Sequence, residues 1–146
     1  MFKGLTVLVV DDQKLIQDML VSLLLKLGFD AVDTASDGSH ALQALDKSRY
    51  DLILCDIMMK GVNGIEFVQT LRQSANLRFD VGKSLTPVML ISGSSDPKHI
   101  RAAKEVGVQG YILKPFNPAE IQKRLFKLFS ARSELGAPAV KEYRAS

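Results

Sequence analysis

Short apolar runs alternate with helix-like patterns along most of the chain. Five runs have the apolar character of buried strands, although the second is weaker and contains Asp33, and they lie at residues 5–10, 31–35, 52–55, 88–91 and 110–113. After each run, apolar residues recur at spacings of three and four, which predicts helices over about residues 13–27, 38–47, 65–73, 96–106 and 118–131. Five strands that alternate with five helices predict an α/β fold with a parallel sheet covered on both faces.

Residues that favour helix ends and turns agree with these boundaries. Asn117 is placed to cap the last helix, and Ser94 and Ser95 are candidate caps for the helix before it. Asn63 and Gly64 tolerate a left-handed backbone, which the sharp loop after the third strand is expected to need. The loop and cap residues therefore support the alternation of strands and helices.

Two segments show neither period. Residues 74–86 are predicted to form a long irregular connection, which is either a partner site or only an insertion. Because this connection leads from a helix end to a strand start, it should lie at the sheet edge remote from Asp56. We expect residues 1–131 to form one domain and residues 132–146 to form a flexible C-terminal tail.

Polar residues stand at the carboxyl ends of four predicted strands. Parallel strands end at the same edge of a sheet, and doubly wound sheets bind their ligands there. Asp56 is the most notable of these residues because it follows a strongly apolar strand and precedes a Gly-containing loop with room for a reaction partner. We therefore expect one site built from Asp11, Asp12, Asp56, Ser92 and Lys114.

The residue types in this site indicate phosphoryl chemistry. Three carboxylates at one place either raise one another's pKa values or bind a cation, and oxygen ligands without His or Cys favour Mg2+. Lys114 can pair first with a carboxylate and then with a phosphoryl oxygen, while Ser92 offers a hydroxyl to another oxygen. These groups predict that Asp56 accepts a phosphoryl group as an acyl phosphate.

Composition and charge narrow the range of partners. The chain is 47% hydrophobic and 24% charged, as globular proteins are, and its net charge is +3. Residues 114–146 hold seven of the 19 basic residues but only three of the 16 acidic ones, so the basic excess is C-terminal. A basic last helix and tail are more often a solvated face than a nucleic-acid site, and we expect no direct contact with nucleic acid.

The apolar segments and the single cysteine bear on localisation. No segment reads as a signal peptide or a membrane span, because the apolar runs are short and interrupted by charge. Cys55 is the only cysteine and cannot form an internal disulfide, which fits a reducing compartment. We expect a cytoplasmic protein.

Five short motifs together resemble the receiver domains of response regulators in two-component signalling. They are the acidic pair at 11–12, the D-x-x-M run at 56–59, Asn63–Gly64, Ser92–Gly93 and Lys114–Pro115. Each motif alone is weak, but the ordered set is specific and covers about residues 5–131. In extent the chain is similar to the single-domain response regulators of chemotaxis.

The resemblance implies a flavodoxin-like sheet of strand order 2-1-3-4-5 and a role for each acid. Asp56 would become an aspartyl phosphate, with a histidine kinase, a phosphorelay partner or a small acyl phosphate as the donor. Asp12, Asp56 and the backbone carbonyl of Met58 would bind Mg2+, with Asp11 acting mainly through water. The protein would promote its own phosphoryl transfer and dephosphorylation without being an enzyme that acts on other substrates.

The resemblance also implies a conformational switch. Ser92 would shift toward the phosphoryl group, and Tyr111 would then turn inward. These movements would change the surface formed by the fourth predicted helix, the fifth strand and the fifth predicted helix, which would contact a downstream protein target. A cis peptide bond between Lys114 and Pro115 is implied as well.

Three residues depart from the family pattern. Lys60 stands where the family usually has Pro, so the loop after Asp56 should be looser and more basic. Met58 and Ser94 lack a strong polar group that would position an attacking water molecule. We hypothesise slow self-dephosphorylation.

Other interpretations remain open at this stage. The chain could be a pseudo-receiver that binds partners without switching, or the receiver fragment of a longer DNA-binding regulator. A flavodoxin-like electron carrier is disfavoured because Asp11 and Asp12 would repel the phosphate of its cofactor. Tyr111 could serve only in packing, and His40 and His99 are interpreted as surface residues.

Overall fold

The protein forms a five-stranded parallel sheet with helices on both faces. The computed structural model describes residues 2–73 and 77–134, and the strands within them follow the order β2-β1-β3-β4-β5. The strands are β1 (Thr6–Val10), β2 (Ala31–Ala35), β3 (Leu52–Asp56), β4 (Val88–Ser92) and β5 (Gly110–Leu113). The helices are α1 (Lys14–Lys26), α2 (Gly38–Lys47), α3 (Gly64–Gln73), α4 (Val81–Ser84), α5 (Pro97–Val106) and α6 (Pro118–Glu134). The predicted fold class and strand order are confirmed.

The prediction of five helices is wrong by one short helix. α4 lies inside the segment that the sequence predicts to be irregular, of which residues 74–76 are outside the described part of the chain. The carboxylate of Asp80 accepts a hydrogen bond from the Lys83 N–H at 2.7 Å and so caps the single turn. One turn is too short to show an apolar period, which is why the pattern along the sequence does not reveal it.

Alternating side chains of the central strands fill two separate apolar layers. In β3, Ile53 and Cys55 pack against α2, α3 and α5, whereas Leu52 and Leu54 pack against α1 and α6. Both faces of the sheet are therefore covered, and this explains the continuous apolar runs in β1, β3 and β4. Because both faces of the sheet are apolar, polar side chains of the central strands are expected at the strand ends.

Arg72, in the last turn of α3, connects several segments at the amino-terminal edge of the sheet. Its guanidinium donates hydrogen bonds to the carbonyls of Ser84 at 2.8 Å, Thr86 at 2.7 Å and Gly107 at 2.8 Å. Burial lowers the pKa of Arg72 to about 10. The side chain thus holds the end of α4 and the start of β4 against the end of α5.

The starts of the last two long helices show one incorrect cap prediction and one correct one. Asp96, not Ser94 or Ser95, caps α5, because its carboxylate accepts from the Lys98 N–H at 2.9 Å. An aspartate directly before Pro97 at the first helical position satisfies the helix start without help from the serines. Asn117 caps α6 as predicted, by accepting from the Glu120 N–H at 2.7 Å.

α6 continues to Glu134, three residues past its predicted end at Ala131. Those three residues are polar, so an apolar period cannot mark them as helical. The rest of the predicted tail, residues 135–146, lies outside the described residues. Across residues 2–73 and 77–134, no helix combines the length and apolar character needed to cross a bilayer.

Candidate functional site

Lys114 joins two buried carboxylates at the carboxyl ends of the strands. Its Nζ lies 3.2 Å from Asp56 Oδ2 and 3.4 Å from Asp11 Oδ2. The two aspartates are only 6% and 2% exposed, so the ammonium offsets a large cost of burying their charge. The parallel register places these residues together, since β3 lies between β1 and β4 and Lys114 directly follows β5.

Asp12 completes a group of three acids. Asp11, Asp12 and Asp56 each offer a carboxylate oxygen, and these oxygens all lie within 4.8 Å of one another. Asp12 is exposed, whereas the other two are buried. One ammonium balances only part of this negative charge, and hard oxygen donors in a partly open cluster suit a hydrated Mg2+ ion. The donor set therefore fits the metal that the sequence predicts.

Burial and the neighbouring charge of Lys114 act in opposite directions on the pKa of Asp56. Burial raises the pKa of Asp56 above its ordinary value, and the negative charge of Asp11 raises it further. Lys114 and the Met58 N–H, which donates to Asp56 Oδ1 at 3.3 Å, oppose that rise in pKa. The Asp56 carboxylate is thus more basic than an exposed aspartate. A cation bound beside it, such as Mg2+, would stabilise its ionised form.

Cys55 takes no part in the acid cluster. Its thiol donates to the Asp56 carbonyl at 3.2 Å and belongs to the apolar layer beneath β3. Burial raises the pKa of the Cys55 thiol well above its ordinary value, which keeps the group protonated.

The loop that follows Asp56 is closed by Gly64, for a reason that differs from the predicted one. The Gly64 N–H donates to the Ile57 carbonyl at 2.9 Å, and a Cβ at position 64 would lie 2.3 Å from the Asp56 carbonyl oxygen. The left-handed residue of this loop is Gly61, with φ 78°, and Asn63 instead caps α3 by accepting from the Glu66 N–H at 2.9 Å. Close backbone approach therefore requires glycine at position 64.

Ser92 lies at the end of β4 and is fully buried. Its backbone carbonyl accepts the Lys114 N–H at 2.8 Å, and its Oγ accepts the Ser94 N–H at 3.1 Å. Ser92 is therefore held between the ends of β3 and β5. The bond between Lys114 and Pro115 is cis, as the resemblance implies.

Ser94 links Ser92 to Tyr111. The Tyr111 hydroxyl donates to the Ser94 carbonyl at 2.8 Å, while its ring packs against the apolar layer under α5. The Ser94 Oγ accepts the Asp96 N–H at 3.2 Å and lies 2.7 Å from His99 Nδ1. His99, interpreted from the sequence as a surface residue, is partly buried and contacts this loop through Ser94.

Gln17 belongs to the site although the pattern along the sequence did not single it out. It is buried on α1, and its amide donates to the Asp11 carbonyl at 2.6 Å. Met19, an apolar residue at helical spacing in α1, is 49% exposed. The available signal was spacing, since Gln17 precedes the buried Leu20 and Leu24 by three and seven residues.

Two grooves lie along the outer edge of β5 and share Gln109 and Arg124 in their linings. One, of about 570 Å³, runs beside α6 and is lined in part by the basic residues Lys123, Arg124 and Lys127. The other, of about 270 Å³, reaches Tyr111 and also borders Arg124. The grooves thus combine apolar lining residues with a basic rim, and the smaller one includes Tyr111, which contacts Ser94.

Comparison with known proteins places the chain among signalling proteins of one type. Residues 7–126 match the response regulator receiver domain family. The chemotaxis protein CheY-3 of Vibrio cholerae is 33% identical over 127 residues, which cover 87% of this chain and 93% of that protein.

Solved structures give the same result. The chemotaxis protein CheY4 of Vibrio cholerae superposes with a TM-score of 0.73 at 34% identity, over 84% of this chain and 97% of its own. The response regulator TrrA of Thermotoga maritima, solved in complex with Mg2+-BeF, superposes with a TM-score of 0.70 at 28% identity, over 84% and 97% of the two chains.

Proposed function

The chain belongs to the family of response regulator receiver domains, and from this premise we propose that it accepts a phosphoryl group on Asp56 in a two-component signalling pathway. The observation that carries the proposal is the contact of a buried Asp56 carboxylate with Lys114, beside two further acids. Receiver domains are signalling modules, so the expected result of phosphorylation is a changed surface, not a released product.

The proposed chemistry is attack of an Asp56 carboxylate oxygen on the phosphorus of a phosphohistidine. The new P–O bond forms as the P–N bond breaks, and the leaving imidazole of the histidine kinase or phosphorelay partner takes up a proton. A small acyl phosphate can replace the phosphohistidine as donor. Burial and the negative charge of Asp11 raise the pKa of Asp56, so its carboxylate is a stronger base than an exposed aspartate, which supports its role as the nucleophile.

Lys114, Ser92 and the acids would prepare the site for the transferred group. Lys114 is within contact distance of Asp56 now and would pair with a phosphoryl oxygen afterwards. The Ser92 hydroxyl would bind a second phosphoryl oxygen. Asp12, Asp56 and the Met58 carbonyl would hold Mg2+ directly and Asp11 through water, and the bound ion would supply positive charge to the phosphoryl oxygens.

The signal is proposed to leave the site through α5, β5 and α6, the face predicted from the resemblance. Ser92 contacts Ser94, and Ser94 contacts Tyr111, whose ring borders the smaller of the two grooves. The basic rim at Lys123 and Lys127 favours a target with an acidic segment that also carries apolar side chains. The protein is proposed to work in the cytoplasm, where such kinases and targets meet it.

Phosphorylation by acetyl phosphate tests this proposal directly. The protein is incubated with acetyl phosphate and Mg2+, and its intact mass is measured. We expect one phosphoryl adduct in the wild type, none in Asp56→Asn and little in Asp12→Asn, with EDTA suppressing the reaction.

An interaction module that keeps the fold without switching makes the opposite prediction. It would give no adduct on the wild type, and an adduct that survives in Asp56→Asn would place the chemistry on another residue. Either result would overturn the proposed function.

A further inference from the structure

We propose that Gln17 is a positioning residue for the acid pair, because its amide fixes the peptide group that joins Asp11 to Asp12 and thereby the place of the Asp12 carboxylate. The inference rests on the proposed function, in which Asp12 is a ligand of Mg2+. It adds a residue of α1 to a site that is otherwise built from strand ends and their loops.

The contacts of Gln17 tie three segments together. Its Nε2 lies 2.6 Å from the Asp11 carbonyl oxygen and 3.4 Å from the carbonyl oxygen of Ala35 at the end of β2. The Asp11 N–H donates to the same Ala35 carbonyl at 3.0 Å. The N–H of Asp11 is therefore held by β2, and its carbonyl is held by the side chain of Gln17, which is only 7% exposed.

The two acids of the pair depend on this arrangement to different degrees. The Asp11 carboxylate has its own direct partners, because Oδ1 accepts the Gln13 N–H at 2.8 Å and Oδ2 faces Lys114 at 3.4 Å. The exposed Asp12 carboxylate has no hydrogen bond or ion pair within the described parts of the chain. The position of the Asp12 carboxylate therefore depends on its own rotamer and on the backbone, and Gln17 holds the peptide group directly before it.

Loss of the Gln17 amide would leave the Asp11 carbonyl without its short hydrogen bond in a buried place. A buried carbonyl without a partner is costly, so the peptide group would turn toward water or another donor. That rotation would move Asp12 relative to Asp11 and Asp56. Mutation of residues that orient metal ligands typically lowers metal affinity 10- to 100-fold, and we expect Mg2+ affinity to fall about tenfold here.

Calorimetric titration with Mg2+ alone tests the inference. Gln17→Met keeps the length and helical preference of the side chain but removes its donor, and we expect it to bind Mg2+ about tenfold more weakly than the wild type. Gln43→Met makes the same chemical change on an exposed side chain of α2, away from the acid pair, and its affinity should equal that of the wild type.

A stability control separates positioning from a general structural role. Leu24→Val weakens the packing of α1 without touching the acid pair, so it should lower the free energy of unfolding while leaving Mg2+ affinity unchanged. If Gln17→Met does not fold, Gln17→Asn is used, because its amide is one methylene too short to reach Asp11 and it should show the same loss.

Two results would overturn the inference. Wild-type affinity in folded Gln17→Met would show that Gln17 does not position the ligands, and an equal loss in Leu24→Val would show that any weakening of α1 has the same effect. Both presuppose that the wild type binds Mg2+. A wild type that binds none would instead contradict the metal site of the proposed function, and this inference would fall with it.

Discussion

Gly64→Ala should be among the most damaging single-methyl substitutions near the site. An added Cβ would lie 2.3 Å from the Asp56 carbonyl oxygen and 2.9 Å from Ile57 Cα, both of which are backbone atoms. Real Cβ contacts essentially never fall below 3.0 Å, so the chain at Asp56 and the start of α3 must separate by at least about 0.7 Å. Neither side moves easily, because β3 is buried at every position and α3 buries Phe67, Val68 and Leu71.

The expected cost is about 3 kcal/mol of the free energy of unfolding, at the upper end of what overpacking usually causes. For a domain of this size, that corresponds to a fall in Tm of roughly 10 °C. Urea unfolding followed by circular dichroism measures the free energy, and intact mass after treatment with acetyl phosphate measures the second effect. Because the overlap displaces the backbone of Asp56 itself, phosphorylation should slow even at temperatures where the variant remains folded.

Gly93→Ala is the matched control. Gly93 directly follows the end of β4, but nothing is within 4 Å of the position its Cβ would take and its φ is not left-handed. Its free energy of unfolding should stay within about 0.5 kcal/mol of the wild type. If Gly64→Ala is no less stable than Gly93→Ala, the close approach described at Asp56 is wrong.

Three further predictions follow from named contacts. Burial raises the folded-state pKa of Asp56 above its ordinary 3.8, so ionised Asp56 opposes folding and Asp56→Asn should be more stable than the wild type near pH 7. Urea unfolding should show that this gain in stability shrinks as pH falls through the raised pKa toward 3.8. A variant that is less stable than the wild type at pH 7 would contradict the predicted sign. Arg72→Met removes a guanidinium from three backbone carbonyls and should cost about 2 kcal/mol in the same assay, whereas exposed Arg101→Met should cost almost nothing. Met58→Asn places an amide where a 63% exposed apolar side chain stands, so loss of the phosphoryl adduct over time should accelerate; an unchanged rate in a wild type that already decays within seconds would refute slow self-dephosphorylation.

The sequence predicts the sheet and the strand-end residues well because those features depend on local patterns and one general rule of topology. Apolar runs such as that of β3 mark strands buried on both faces, and parallel strands end at a common edge. These two facts are enough to bring Asp56 and Lys114 together across 58 positions of sequence, and the structure places them 3.2 Å apart.

Features that depend on contacts between distant segments could not be predicted in this way. Gln17 looks like one polar residue among many on α1 until the carbonyl of Asp11 is seen beside it. His99 gains its partner only through the shape of the loop after β4. The need for glycine at position 64 follows from how α3 begins against the end of β3, and a residue pattern does not encode that distance.

The arrangement around Ser94 gives a physical route from the acid cluster to the α5, β5 and α6 face. The Ser92 hydroxyl accepts a hydrogen bond from the Ser94 N–H, so the proposed movement of Ser92 Oγ toward a phosphoryl oxygen would either break this bond or pull Ser94 with it. Ser94 in turn holds the Tyr111 hydroxyl by its carbonyl and His99 by its Oγ. A movement of Ser92 that shifts Ser94 would therefore act on β5 through Tyr111 and on α5 through His99. The contact between Ser94 and His99 would oppose that shift. In the proposed switch, coupling between the phosphoryl site and the target surface would pass in part through these few hydrogen bonds, each worth about 1 kcal/mol net.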